Sequence, residues 1–320
     1  MRSSRQNTVW IALLSAVSLA AQAAGPTHMR PKAPSLDGLW TNGSYTRLQR
    51  PKSLTGLVMS PEAAKTFEAS LAKSHGVPPR PNDTVGQNDS EFPELGEGMA
   101  RIRGEIRTSW IIEPADGRIP YTAEAKARLH IDENDPPESF DNPEDRPQAE
   151  RCVSSAGSSP PLLSAFDANM FQFVQTADHL VVVSEKNHDV RVIPFNAAPP
   201  PRAPPTWAGN SAGRWEGNTL VVETSGLRQP LIDRAGGVYY SGDAKVSERF
   251  TRISTEEVLY EFTVTDPATF TQPWKAEMLF RATKGPLYEY ACHEGNYSLT
   301  SILSAARQGN QPSGTGAPPK

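Results

Sequence analysis

From Asn169 onward, apolar and polar residues alternate in short runs separated by polar breaks. Asn169–Thr176 (NMFQFVQT), His179–Glu185 (HLVVVSE) and Asp189–Phe195 (DVRVIPF) are rich in β-branched and aromatic residues, and breaks of two or three residues separate them. That spacing predicts a meander of hairpins. The same grammar returns in Asn218–Thr224, Lys245–Ile253, Glu257–Thr265, Trp274–Thr283 and Leu287–Cys292, giving eight or so antiparallel strands. An open sheet that long leaves bare edges, so the expected fold is mainly β: an antiparallel calycin- or lipocalin-like barrel, or a sandwich. Ala197–Pro205 (AAPPPRAPP) reads as a stiff polyproline loop inserted among the strands.

Helical spacing is rarer. Pro61–His75 places Ala64, Phe67 and Leu71 on one face, with Ser60 as N-cap and proline at the first helical position. Thr122 caps a short helix running to Leu129, and Ser298–Arg307 reads as a closing helix. Upstream of the strands, Glu105–Glu113 predicts a first strand, and residues 76–98 lack periodicity and read as a long surface loop. The expected organisation is a processing segment over 1–24, an irregular N-terminal region with one helix over 25–104, a β-rich domain over 105–308, and a disordered polar tail over 309–320.

Composition narrows this picture. Thirty prolines in 320 residues fit a loop-rich chain, and the absence of any 20–50-residue period excludes solenoids and arrays. The net charge of −4, with acids and bases scattered, argues against a nucleic-acid partner held through phosphates. Arg2 and Arg5, the apolar run Val9–Ala21 and the small-x-small triplet Ala21-Gln22-Ala23 read as a secretory signal, with no membrane anchor after cleavage and a periplasmic or secreted destination. Loss of that segment takes the net charge from −4 to −6, because Arg2 and Arg5 leave with it.

In an oxidising compartment, Cys152 and Cys292 form the only possible pair, and a disulfide is the expected state. The loop closed would span 140 positions, for which the chain-entropy model gives roughly 4–5 kcal/mol before strain is subtracted. Zinc ligation is the alternative, but no second C-x-x-C and no H-x₃-H completes a site.

Asn142-Pro-Glu-Asp-Arg-Pro147 with Glu150-Arg-Cys152, Asn187-His-Asp-Val-Arg191, Gly213-Arg-Trp-Glu-Gly217 with Thr219-Leu-Val-Val-Glu223, and Tyr288-Glu-Tyr-Ala-Cys-His-Glu-Gly-Asn-Tyr297 are long strings of unlike residue types. In these strings the chain resembles a family of uncharacterised secreted bacterial proteins. The resemblance runs from about Ile111 to Arg307 and implies export and a single domain; it carries no mechanism.

Candidate chemistry therefore comes from the residues. A Cys152–Cys292 bridge sets Asp145, Arg146, Glu150 and Arg151 beside His293 and Glu294, which makes either an acid/base cluster or an ion-pair network pinning a loop. Alternation puts His188 with Val190 and Val192 on one strand face, and Arg191 with Ile193 and Phe195 on the other. His188 is then a general base lining a cavity or a satisfied core histidine. Gly213–Gly217 reads as a tight connection presenting Arg214, Trp215 and Glu216 to an anionic or aromatic ligand, or as a tryptophan plug under the barrel. Glu261 is an interior carboxylate or part of a solvated face.

The leading expectation is an exported barrel that binds a small, partly apolar molecule and performs cofactor-independent acid/base chemistry. It assigns His188, His293 and Glu294 to catalysis, and Arg191, Arg214, Trp215 and Glu261 to substrate binding, with no metal or cofactor. The competing expectation is a non-catalytic binding or assembly protein. Polar groups inside the barrel discriminate the two.

Overall fold

In the computed structural model, the described residues are 34–75, 96, 98–129, 142–146, 148–154, 157–165, 167–196, 203–228 and 238–309, and 34–320 form one compact unit. The processing segment, the residue 76–95 loop, the proline-rich stretch over 197–202 and the tail over 310–320 lie outside them.

The fold is mainly β. The chain runs through β1 (Gly38–Thr41), β2 (Val58–Met59), α1 (Pro61–His75), β3 (Arg101–Ile102), β4 (Glu105–Arg107), β5 (Ile111–Glu113) and α2 (Ala123–Leu129). The meander follows as β6 (Met170–Gln175), β7 (His179–Ser184), β8 (Val190–Pro194), β9 (Asn210–Glu216), β10 (Thr219–Ser225), β11 (Lys245–Arg252), β12 (Glu257–Thr265) and β13 (Trp274–Ala282), and α3 (Ser298–Gly309) ends it. Nine strands pair in the order β8-β7-β6-β1-β13-β12-β11-β10-β9, and β5 branches onto β13. A parallel bridge between Phe195 and Gly213, with Asn196 N donating to Gly213 O at 2.8 Å, brings the two ends together into a nearly closed barrel. Gly213 permits that approach, since a Cβ there would lie 3.1–3.2 Å from Ile193, Leu220 and Phe195.

Alternation decides what fills the barrel. Phe171, Phe173, Phe250, Tyr260, Phe262, Trp274 and Phe280 point inward with Trp40 and are essentially without exposure. Their rings meet edge-on or tilted at centroid separations such as 5.3 Å for Phe171–Phe280 and 4.8 Å for Phe250–Tyr260. Such contacts close-pack the lumen with side chains.

Four expectations are corrected. Leu287–Cys292 forms no strand; it follows Gly285 and Pro286, its exposure pattern has no buried face, and side-chain contacts and the disulfide hold it. Gly213–Glu216 belongs to β9, with Gly217 and Asn218 as the hairpin turn, because Glu216 pairs with Thr219. The region over 25–104 contributes β1 to the barrel wall, where Trp40 pairs with both Phe171 and Ala282. Glu105–Glu113 forms two short strands, β4 and β5, interrupted at Thr108–Trp110.

Outside the barrel, α1 packs on the small sheet β2-β4-β3 through Ala64, Met99 and Ile106. Ser60 caps α1 by accepting from Ala63 N at 3.2 Å, as Thr122 caps α2 through Ala125 N at 3.0 Å. Arg103 and Arg107 reach from this layer to Glu277 on β13, at 3.0 and 3.1 Å.

Candidate functional site

Inside the barrel, Arg191 of β8 forms a bidentate pair with Glu248 of β11. Its remaining donors go to Ser211 Oγ (Nε, 2.9 Å) and Thr224 Oγ1 (Nη2, 2.7 Å). Tyr260 Oη donates to Glu248 Oε1 at 2.8 Å and accepts from Leu162 N at 2.9 Å; Tyr240 Oη donates to Pro160 O at 3.3 Å. Burial pushes both phenols well above the usual tyrosine value and works against the guanidinium charge, but Glu248 outweighs it and holds Arg191 charged. Residues 157–163, all buried, sit over this network as a plug. Through Tyr260 to Leu162 N and Tyr240 to Pro160 O, the network pins this plug. Arg191, expected to bind substrate, is 4 % exposed and makes four side-chain bonds within this network.

The other expected residues stand elsewhere. Cys152 and Cys292 form the disulfide, with Cα atoms 5.7 Å apart, and disulfides persist in oxidising, non-cytoplasmic compartments. The bridge brings residues 148–152 to the segment over 287–292, and Asn296 Nδ2 reaches Glu150 O and Cys152 Sγ at 3.5 and 3.3 Å. Arg146 closes on Glu150 through two 2.9 Å bonds, whereas the His293 and Glu294 side chains are exposed. His188 is likewise exposed, because Val190 and Val192 turn out to be the solvent face, at 56 % and 54 % exposure. Its Nε2 accepts from Tyr290 N at 2.7 Å, and Glu185 Oε1 accepts from Tyr288 N at 3.0 Å, so the turn after β7 clasps the C-terminal segment. Lys186 beneath it pairs with Asp167 and lies 4.6 Å from the Tyr290 ring; burial opposes its charge, and these partners outweigh burial to hold its pKa above the ordinary value. Nearby, burial raises the Asp189 carboxyl against the lowering effects of Ser158 and His188.

Arg214 and Glu261 lie on the outer barrel face. Arg214 pairs with Glu216 at 3.0 Å, and Trp215 packs edge-on to Phe195 at 6.1 Å, closing the seam between β8 and β9. Glu261 is outward with Leu259 and Thr263, while the interior carboxylate is Glu248. A shallow cleft of about 200 Å³ lies beside Glu261, but its basic residues are already paired, Arg249 with Glu216 and Lys275 with Glu113.

A cleft of about 370 Å³ opens between the N-terminal layer and the outer faces of β12 and β13. Met99, Ala100, Trp110 and Leu279 supply apolar surface, and Glu68, Arg101, Glu257 and Arg281 supply charge. Several of these groups are fixed by the fold. Glu68 Oε1 on α1 accepts from Met99 N at 2.8 Å, Ser44 Oγ donates to Gly98 O at 3.0 Å, and Arg281 Nη2 donates to Gly43 O at 2.8 Å. Gly96 allows the wall to close, since its φ of +75° suits glycine and a Cβ would meet Gly43 O at 2.4 Å. Trp110 is anchored by its Nε1 donating to Ser164 Oγ at 3.3 Å. In the sequence the one usable signal was Arg103-Gly104 between Ile102 and Ile106, a two-residue hairpin turn that sets β3 against β4 and aims Arg101 at this cleft.

No group of three or more metal-ligating side chains occurs among the described residues, and no helix among them is long and apolar enough to cross a membrane. Comparison with protein-family models, curated proteins and solved structures gave no match.

Proposed function

We propose that this is an exported, disulfide-stapled β-barrel protein, periplasmic or secreted, whose role is to bind a small, partly apolar molecule without turning it over. One observation supports the binding site above the rest: the 370 Å³ cleft combines apolar residues with charged groups still open to a ligand, whereas in the barrel lumen aromatic rings pack against one another and the Arg191–Glu248–Tyr260 network bonds within itself. That volume falls at the lower end of small-molecule sites. Binding is favoured over acid/base turnover because His188, His293 and Glu294 are exposed at the barrel rim and no cavity gathers them among the described residues. The N-terminal signal pattern and the disulfide support export.

The test is a fragment screen by NMR on the full exported chain with labelled Met, Ala and Leu methyl groups. Binders are expected to move Met99, Ala100 and Leu279 together and to leave the lumen methyl of Met278 in place. If every binder perturbs other methyls and spares these three, the reading is wrong.

A further inference from the structure

We infer that the cleft's ligand is a zwitterion: a small molecule carrying an ammonium, a carboxylate and a compact apolar group, as a free apolar α-amino acid or short apolar peptide does. This rests on the proposal that the cleft is the binding site. The carrying observation is that the two signs of charge line the same cleft without cancelling. Glu257 and Arg281 are direct cross-strand partners on β12 and β13, a position from which opposite charges ordinarily pair. Here Arg281 turns to Gly43 O instead, and neither Glu257 nor Arg101 takes a side-chain partner among the described residues. Three other basic residues of the outer face do pair with carboxylates: Arg214 and Arg249 with Glu216, Lys275 with Glu113.

Charge complementarity then selects the ligand. An anion without a cationic group meets Arg101 and Arg281 but also Glu257 and Glu68, and a plain cation meets the converse. Like-charge juxtaposition discriminates strongly against both. A zwitterion satisfies both signs, with its small apolar group against Met99, Ala100 and Leu279.

The experiment titrates the full chain with leucine, dileucine, N-acetylleucine and leucinamide, reading the Met99, Ala100 and Leu279 methyls. Leucine or dileucine is expected to bind at least tenfold more tightly than either singly charged analogue. Which of the two binds better decides between amino acid and peptide. Exposed-site variants report on each charge: Glu257→Gln should weaken the zwitterion about fivefold and narrow its advantage over N-acetylleucine, and Arg101→Ala should narrow its advantage over leucinamide. Singly charged analogues binding as well as the zwitterions, or zwitterions leaving the three methyls unmoved, overturn the inference. The cleft reading falls separately, only when no fragment of any charge moves those methyls.

Discussion

The barrel lumen and the outer cleft both contain arginine, glutamate and aromatic residues, yet they handle charge in opposite ways. In the lumen, Arg191 and Glu248 are nearly unexposed and every bond they make is internal. In the cleft, Arg101 is exposed and Glu257 half-buried, and neither takes a side-chain partner among the described residues. A buried charge must be fully paired to be tolerated, so a network that has met this demand has nothing left with which to recognise a ligand. Unpaired charge persists cheaply only where water reaches it, so the groups proposed here to recognise a ligand lie outside the barrel.

Breaking the lumen network gives the largest effect. Arg191→Met leaves Glu248 buried without its cation, and a loss of about 3–5 kcal/mol is expected, with chemical denaturation as the measurement. The double variant Arg191→Met with Glu248→Leu should recover most of that loss; failure to recover would mean that the pair stabilises beyond its own desolvation. Next comes the staple. Cys152→Ser with Cys292→Ser should cost about 2–4 kcal/mol, less than the chain-entropy value, because the clasp of His188 and Glu185 on Tyr290 and Tyr288 still tethers the segment. Tyr260→Phe removes the link between Glu248 and the plug, orphans Leu162 N, and should cost about 1–3 kcal/mol. Cleft binding should survive this last change; a parallel loss of binding would show that the two regions are coupled.

How much of this was readable in advance depends on how each element earns its place. The strands from β6 to β8 and from β10 to β13 were legible because their alternation is strong. β9 was not, since its inward side presents Ser211, which serves Arg191, and Gly213, which serves close approach; neither advertises a strand. Four-residue β1 has too little pattern to show, and its partners lie more than a hundred residues away. The disulfide was legible from cysteine count and context. Site residues were read less well because period-2 alternation separates two faces without saying which is inside. Val190 and Val192 looked like the apolar lining, and the lining is instead the face with Arg191, whose charge is cancelled by Glu248 from a strand 57 positions away. The cleft was illegible for a related reason: α1, β3, β12 and β13 meet there only in the folded chain.

The smallest predicted effect concerns the rim, which lies between these two extremes of burial. Asp189 sits after the clasp turn, and partial burial raises its carboxyl pKa, with Ser158 and His188 opposing the shift. Because the folded value is raised above the unfolded one, the native state binds more protons in the interval between them. Stability from this group is therefore present below the ordinary carboxylate range and is lost as pH rises through the raised folded value. At neutral pH the ionised Asp189 is a standing cost, kept small because the side chain is partly solvated. Asp189→Asn should raise Tm by about 1–2 °C at pH 7, and the gain should vanish by pH 3, where the wild-type carboxyl is protonated in both states. A thermal-melt series over that range measures it. A gain that persists unchanged at pH 3 would assign the effect to hydrogen bonding with Ser158, and a loss at pH 7 would show that the His188 and Ser158 contacts outweigh desolvation. In that case the rim resembles the lumen, with its charge satisfied, and the contrast is with the cleft, where Arg101 and Glu257 leave charge open.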